Sequence, residues 1–180
     1  MCLTPHFLWL GGEAPCTHSQ AFQGVDLNTC PVRYTHQKKA WMDGQVFQYW
    51  LNNIFLPFVG NRKVLLLLDN CPGHVLPIGN LPANVRIEFL PPNTTSKHQP
   101  LDQGIIRCLK AWYRRSMLRA RIQALESGLL TNAAGALQQS APVTPPDVYQ
   151  AMVALGLAWD KVTVATIQGC WKHACILPPP

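Results

Sequence analysis

The feature that most constrains the fold is a continuous apolar run, Val64–Leu68, which ends directly in a carboxylate, Asp69. Polar residues 61–63 precede the run, and the turn-forming residues 70–73 (NCPG) follow it. A short run without polar alternation is typical of a parallel-sheet strand covered by helices on both faces. The run therefore predicts a fully buried central strand of an α/β fold, with Asp69 at its carboxyl end.

The rest of the chain alternates between helix and strand signals. Val85, Ile87 and Phe89 alternate with polar residues, which predicts a second strand over residues 85–90. A short strand over 6–10 and a loop over 93–99 are also expected. Apolar spacing of three and four predicts helices over 41–55, 103–126, 147–157 and 163–174, and Pro57 is expected to end the first.

One hundred and eighty residues that are 48% hydrophobic suffice for one compact domain. We divide it into a main domain over 1–126, a flexible Ala-, Gln- and Pro-rich linker over 127–146, and a helical closing segment of the same domain over 147–177. No apolar run reaches the ~18 residues that would span a bilayer. Seven cysteines without a C-x-x-C pair favour reduced thiols in the cytosol or nucleus.

The positive charge is concentrated in the third predicted helix and the loop before it. The net charge is +6, and residues 97–121 contain seven cations and one acid, Asp102. The cations are Lys97, Arg107, Lys110, Arg114, Arg115, Arg119 and Arg121. The apolar stripe of this helix is Ile106, Leu109, Tyr113, Met117, Ala120 and Ala124. The cations form either a solvated face that keeps the chain soluble or a contact surface for nucleic-acid phosphates.

Asp69 and Asp102 are the candidate chemical groups, because both are expected to face one crevice. Paired carboxylates on rigid elements can coordinate Mg²⁺ or Mn²⁺. Taken singly, Asp69 also suits a turn and Asp102 a helix N-cap. His74 and His98 flank the pair and could be metal ligands. Their more ordinary interpretation is that His74 ends a turn and that His98 is an exposed loop residue or a phosphate contact.

Three blocks of this sequence resemble the catalytic domain of pogo/Tigger-type transposases, the family of Tigger and Jerky transposon-derived proteins and of centromere protein B. The blocks are residues 65–74 (LLLLDNCPGH), 84–96 (NVRIEFLPPNTTS) and 99–110 (QPLDQGIIRCLK). Weaker likeness in residues 39–51 and 158–172 extends the resemblance over most of residues 31–177.

The resemblance implies a ribonuclease-H-like fold in which three acids bind two divalent metals to cut and join DNA. By position, Asp69 and Asp102 match the second and third acids. The first acid belongs to a block on the opening strand, and neither Glu13 nor Asp26 lies in a similar context. We therefore expect an incomplete, N-terminally truncated α/β fold whose opening strand is missing, with a helical C-terminal extension.

Three hypotheses of function follow. The first is a nuclear DDE-type endonuclease domain that binds DNA through the seven cations and is inactive because the first acid is absent. The second is a residual metal-dependent nuclease or strand transferase, completed by a substitute acid or a partner chain. The third is a fragment that interacts with proteins or dimerises through the Trp- and Ala-rich C-terminal segment, or a relic without activity.

Overall fold

A computed structural model describes residues 9–10, 22–26, 29–34, 42–76, 79, 81–127, 129–131, 137–139 and 146–176. None of the helices in these ranges has the length and hydropathy needed to cross a membrane. The chain mixes helices with short strands, as expected for the α/β class. Near the N-terminus, β1 (Trp9–Leu10) pairs in parallel with β2 (Arg33–Tyr34). The first three residues of the strand predicted over 6–10 lie outside the described residues.

The first helical segment is longer than its sequence predicts. It consists of α1 (Gly44–Trp50), a π-helical turn (Leu51–Phe55) and α2 (Leu56–Val59). The Asp43 side chain caps α1 by accepting a hydrogen bond from the Val46 N–H at 2.9 Å. The prediction that Pro57 ends the helix is wrong, because Pro57 lies in the first turn of α2, where a missing N–H is tolerated.

Two parallel strands, β3 (Val64–Leu68) and β4 (Val85–Phe89), form the sheet that carries Asp69. Both occur where the sequence predicts them. Val64, Leu66 and Leu68 pack with Phe47 and its neighbours on α1 and α2. The expectation of a fully buried strand is wrong, because Leu65, on the opposite face, is 53% exposed. Within the described residues, helices therefore cover one face of β3 rather than two.

The loop predicted over residues 93–99 contains a short helix, α3 (Thr95–His98). A second π-helical turn (Leu101–Ile105) follows and leads into α4 (Ile106–Ser127), the predicted basic helix. Its apolar stripe is buried only in the first half: Leu109 is buried, but Ala120 and Ala124 are exposed. The predicted stripe is wrong there because the core that covers α4 reaches only as far as Tyr113.

The segment expected to be a linker contains two paired strands. β5 (Leu129–Thr131) and β6 (Leu137–Gln139) are antiparallel, with Leu130 opposite Gln138. The sequence there is rich in small and polar residues, so composition alone indicated an irregular segment. The division of the chain into three parts remains a prediction.

The C-terminal helices form where the sequence predicts them. α5 (Val148–Trp159) begins at a capping box, in which Asp147 and Gln150 exchange hydrogen bonds, and α6 (Val164–His173) begins at the N-cap Thr163. Met152, Leu155 and Ala158 of α5 join a buried cluster with Ile105 and Leu109. The C-terminal segment thus supplies part of the chain's own core.

α6 packs directly on the turn that carries Asp102. Gly104 in this turn has φ of 145°, a conformation that side-chain-bearing residues rarely adopt. A Cβ added at Gly104 would lie 3.1 Å from Cys170 Sγ on α6. Gly104 therefore serves both the backbone turn and the close approach of α6.

We expect Gly104→Ala to lower the free energy of unfolding by about 1–3 kcal/mol, because alanine is strained at this φ and crowds Cys170. The matched control is Gly169→Ala in α6, where an added Cβ meets nothing within 4 Å. There alanine should raise stability by up to about 1 kcal/mol through helix propensity. Urea denaturation measures both, and equal effects of the two substitutions would contradict this account of the turn.

Candidate functional site

Asp69 immediately follows β3, and the next turn fixes its carboxylate. Asp69 Oδ1 accepts a hydrogen bond from the Cys71 N–H at 3.2 Å and lies 2.9 Å from His74 Nδ1. The Asn70 side chain donates to the Leu90 carbonyl just beyond β4, which ties this turn to the neighbouring strand. The expected turn role of Asp69 is therefore present, and it fixes one oxygen of the carboxylate.

His74 is held in place around this carboxylate. Its Nδ1 is also 3.1 Å from the Asp69 carbonyl oxygen, and its ring lies 4.9 Å from the Phe47 ring, centroid to centroid. Next to it, a Cβ on Gly73 would lie only 2.5 Å from the Met42 carbonyl oxygen, so the turn presses against the residues before α1. Of the two roles considered for His74, the structure shows the one at the end of the turn.

Asp102 lies inside the second π-helical turn, one residue beyond the position of an N-cap. Pro100 is the N-cap of that turn, and no side chain caps it. The N-cap interpretation of Asp102 is therefore wrong. Partial burial raises the pKa of the Asp102 carboxyl, the negative charge of Asp69 raises it further, and Lys110 lowers it. The structure thus brings Asp69 and Asp102 close enough to repel each other.

A shallow cavity of about 310 Å³ connects Asp102 to the basic helix. Asp102, Arg107, Lys110 and Arg114 supply its charged groups, and Ile106 and Ala111 complete the lining. Three of the seven predicted cations therefore stand in the same cavity as the predicted acid. We call these three, Arg107, Lys110 and Arg114, the cleft cations.

The other four cations do not line this cavity. Lys97 is exposed on α3, and the Arg115 guanidinium lies 5.4 Å from the centre of the Trp112 ring. Arg119 and Arg121 are exposed on the second half of α4. The sequence treated all seven as one surface, whereas the structure divides them.

The expectation of an exposed His98 is wrong. His98 is partly buried, and its Nδ1 lies 3.0 Å from the Ala174 carbonyl oxygen. A second bond of this kind joins His173 Nδ1 and Gln103 Oε1 at 2.7 Å. Sequence reasoning missed both, because partners more than seventy residues apart leave no local pattern.

The two acids fit a hard divalent cation in their chemistry. Both offer carboxylate oxygens, and the repulsion between them creates a negative potential that a cation would relieve. Within the part of the chain that the structure describes, no group of three His, Cys, Asp or Glu residues is arranged to hold a metal. Asp69 and Asp102 are therefore a pair of candidate ligands.

Residues 14–171 match the family model described as DDE superfamily endonuclease. The chain belongs to this family. Its sequence is 26% identical to mouse (Mus musculus) Tigger transposable element-derived protein 4, over 89% of this chain and 28% of that protein. It is 29% identical to mouse Jerky protein, over 85% of this chain and 26% of that protein. These matches confirm the resemblance to pogo/Tigger/Jerky-type proteins.

Another relative of this DDE-family chain is ARS-binding protein 1 of Schizosaccharomyces pombe, 27% identical over 67% of the chain and 24% of that protein. The chain spans 26% to 28% of the length of the Jerky and Tigger relatives above. No solved structure matches it. The family assignment therefore rests on sequence.

We expect Asp102→Asn to stabilise this DDE-family chain at neutral pH. The raised pKa means that the folded state holds the Asp102 proton more tightly than the unfolded state. The resulting stability is present below the ordinary pKa of 3.8 and is lost as the pH rises through the folded value. Because the site is solvent-exposed, the gain at neutral pH should stay below about 1 kcal/mol.

Thermal denaturation between acid and neutral pH measures this effect. The advantage of Asp102→Asn should disappear in acid, where Asp102 is protonated in both states. It should also shrink in an Asp69→Asn background, which serves as the control because one source of repulsion is then gone. A loss of stability at neutral pH would contradict the account.

Proposed function

We propose that this chain is a ribonuclease-H-like DDE endonuclease domain that binds DNA through the basic face of α4. We further propose that it is nuclear and lacks catalytic activity by itself. The observation that carries the DNA-binding proposal is the cavity in which Asp102 meets Arg107, Lys110 and Arg114. An acid beside three cations suits a phosphate backbone whose reactive group lies next to the acid.

The cleft cations are available to a polyanion. All three are exposed. The ion pairs among the described residues are His74 with Asp69 and Arg86 with Glu88, so the pairs found there involve none of the cleft cations. Arginine presents a planar fork of donors that matches phosphate oxygens. Binding at these positions would release condensed counterions from DNA.

The names of the relatives support the same proposal. One is described as derived from a transposable element and another as ARS-binding. A DNA ligand and a nuclear location for this chain are what we infer from that kinship and from the basic helix.

Inactivity is proposed because the family resemblance identifies two acids in this sequence, Asp69 and Asp102, and the mechanism it implies uses three. If Mg²⁺ or Mn²⁺ binds, these two carboxylates would hold it, and the ion would supply charge stabilisation for phosphoryl transfer. His74 would keep the Asp69 carboxylate oriented, and the cleft cations would hold the DNA backbone. These roles need no assumption about a third ligand.

Neutralising the cleft cations tests DNA binding. We expect the triple variant Arg107→Gln, Lys110→Gln and Arg114→Gln to weaken binding to duplex DNA. If each cation neutralises one phosphate, the slope of log K against log salt should fall by about 2.7. The control variant Lys63→Gln, Lys161→Gln and Lys172→Gln removes the same charge at exposed positions outside the cavity. Fluorescence anisotropy at several salt concentrations measures both; similar slopes for the two variants would refute the proposed interface.

A residual metal-dependent nuclease is the second candidate function, and the electrostatic contact between Asp69 and Asp102 favours it. This candidate predicts Mn²⁺-dependent nicking of supercoiled plasmid that Asp69→Asn and Asp102→Asn each abolish. Both substitutions keep the size of the side chain, so binding to DNA should persist. Nicking that survives in both variants would come from another site or a contaminant and would exclude this candidate.

A further inference from the structure

The second half of α4 leaves an apolar row uncovered. Leu118, Ile122 and Leu125 are 60%, 45% and 41% exposed. All residues from Leu118 to Glu126 are exposed, since the core around α5 reaches α4 only up to Tyr113. A contiguous exposed row of large aliphatic side chains marks an interaction surface more often than a solvated face.

The spacing of this row is that of a coiled-coil seam. Ile122 follows Leu118 by four residues and Leu125 follows Ile122 by three, so Leu118 and Leu125 occupy d positions and Ile122 an a position. At the helical rotation of about 100° per residue, the three lie within about 60° of each other. Helices that lie in a membrane surface, or pack on a domain core, carry a wider apolar face.

Arginines border the seam on both sides. In this register Arg114 and Arg121 are at g positions and Arg119 is at an e position, with Glu126 at the next e position. Charges at e and g select the partner helix. None of the three arginines takes part in the ion pairs found among the described residues. The seam is therefore apolar at its centre and mainly positive at its edges.

We propose that this seam docks an acidic amphipathic helix of another protein, with aliphatic residues at its a and d positions and Asp or Glu at e and g. Such a helix satisfies both the apolar row and the arginines. DNA would satisfy the arginines and leave the apolar row in water. A second copy of this chain would bring its own arginines, with Arg114 of one copy facing Arg119 of the other in a parallel pair. The cleft cations Arg107 and Lys110 are not part of the seam, so the proposal is independent of DNA binding.

The test uses the full chain and synthetic helical peptides about three heptads long. One peptide has Ile at a, Leu at d and Glu at e and g; its counterpart has Lys at e and g. Fluorescence anisotropy should show binding of the Glu peptide alone. Ile122→Glu should weaken that binding about tenfold or more, whereas Gln123→Glu, which adds the same charge outside the seam, should change it less than about twofold.

A charge inversion provides a second variant, with circular dichroism as a check that α4 remains helical. Arg114→Glu combined with Arg121→Glu should reverse the preference, so that the Lys peptide binds instead. Equal binding of both peptides, equal losses from Ile122→Glu and Gln123→Glu, or no binding of either peptide would overturn the proposal. It would also be overturned if Ile122→Glu dissociated a homodimer in sedimentation velocity, or if phosphatidylserine vesicles bound the chain with the same dependence on Ile122.

Discussion

Two carboxylates of like charge, Asp69 and Asp102, stand close enough for one to raise the pKa of the other. Left to themselves, they would move apart into water. Their proximity therefore depends on two short segments that bring them to the same crevice, one after a strand and one before a helix. Lys110 on the first turns of α4 partly offsets the repulsion. The remaining architecture can be understood as the support of these two segments.

Each segment is anchored by contacts that leave little freedom. On the Asp69 side, β3 and β4 pair along their full length, and His74 lies against the carboxylate. On the Asp102 side, the turn bends at Gly104 and receives α6, while His98 contacts the carbonyl of Ala174 at the end of that helix. The C-terminal helices thus position an acid that precedes them by about sixty residues in sequence.

Local patterns predicted the elements that carry the site. The aliphatic run of β3, the alternation in β4 and the caps of α5 and α6 are short-range signals, and all four elements occur where the sequence places them. The failures concern information that is not local. The exposure of Leu65 and of Ala124 depends on which face another element covers, and the contact of His98 joins residues that are far apart in the chain. Residue types identified Asp69 and Asp102 as a pair, whereas the division of the cations between a cleft and a seam required the three-dimensional arrangement.

The central claim is that Asp69 and Asp102 share one crevice, and carboxyl-carbon NMR tests it most directly. Titration of the Asp102 signal should give a pKa above the ordinary value of 3.8 in the native chain. In Asp69→Asn, that pKa should move down, because the negative charge that raises it has been removed while the burial around Asp102 is kept. An Asp102 pKa that is the same in both proteins would contradict the shared crevice.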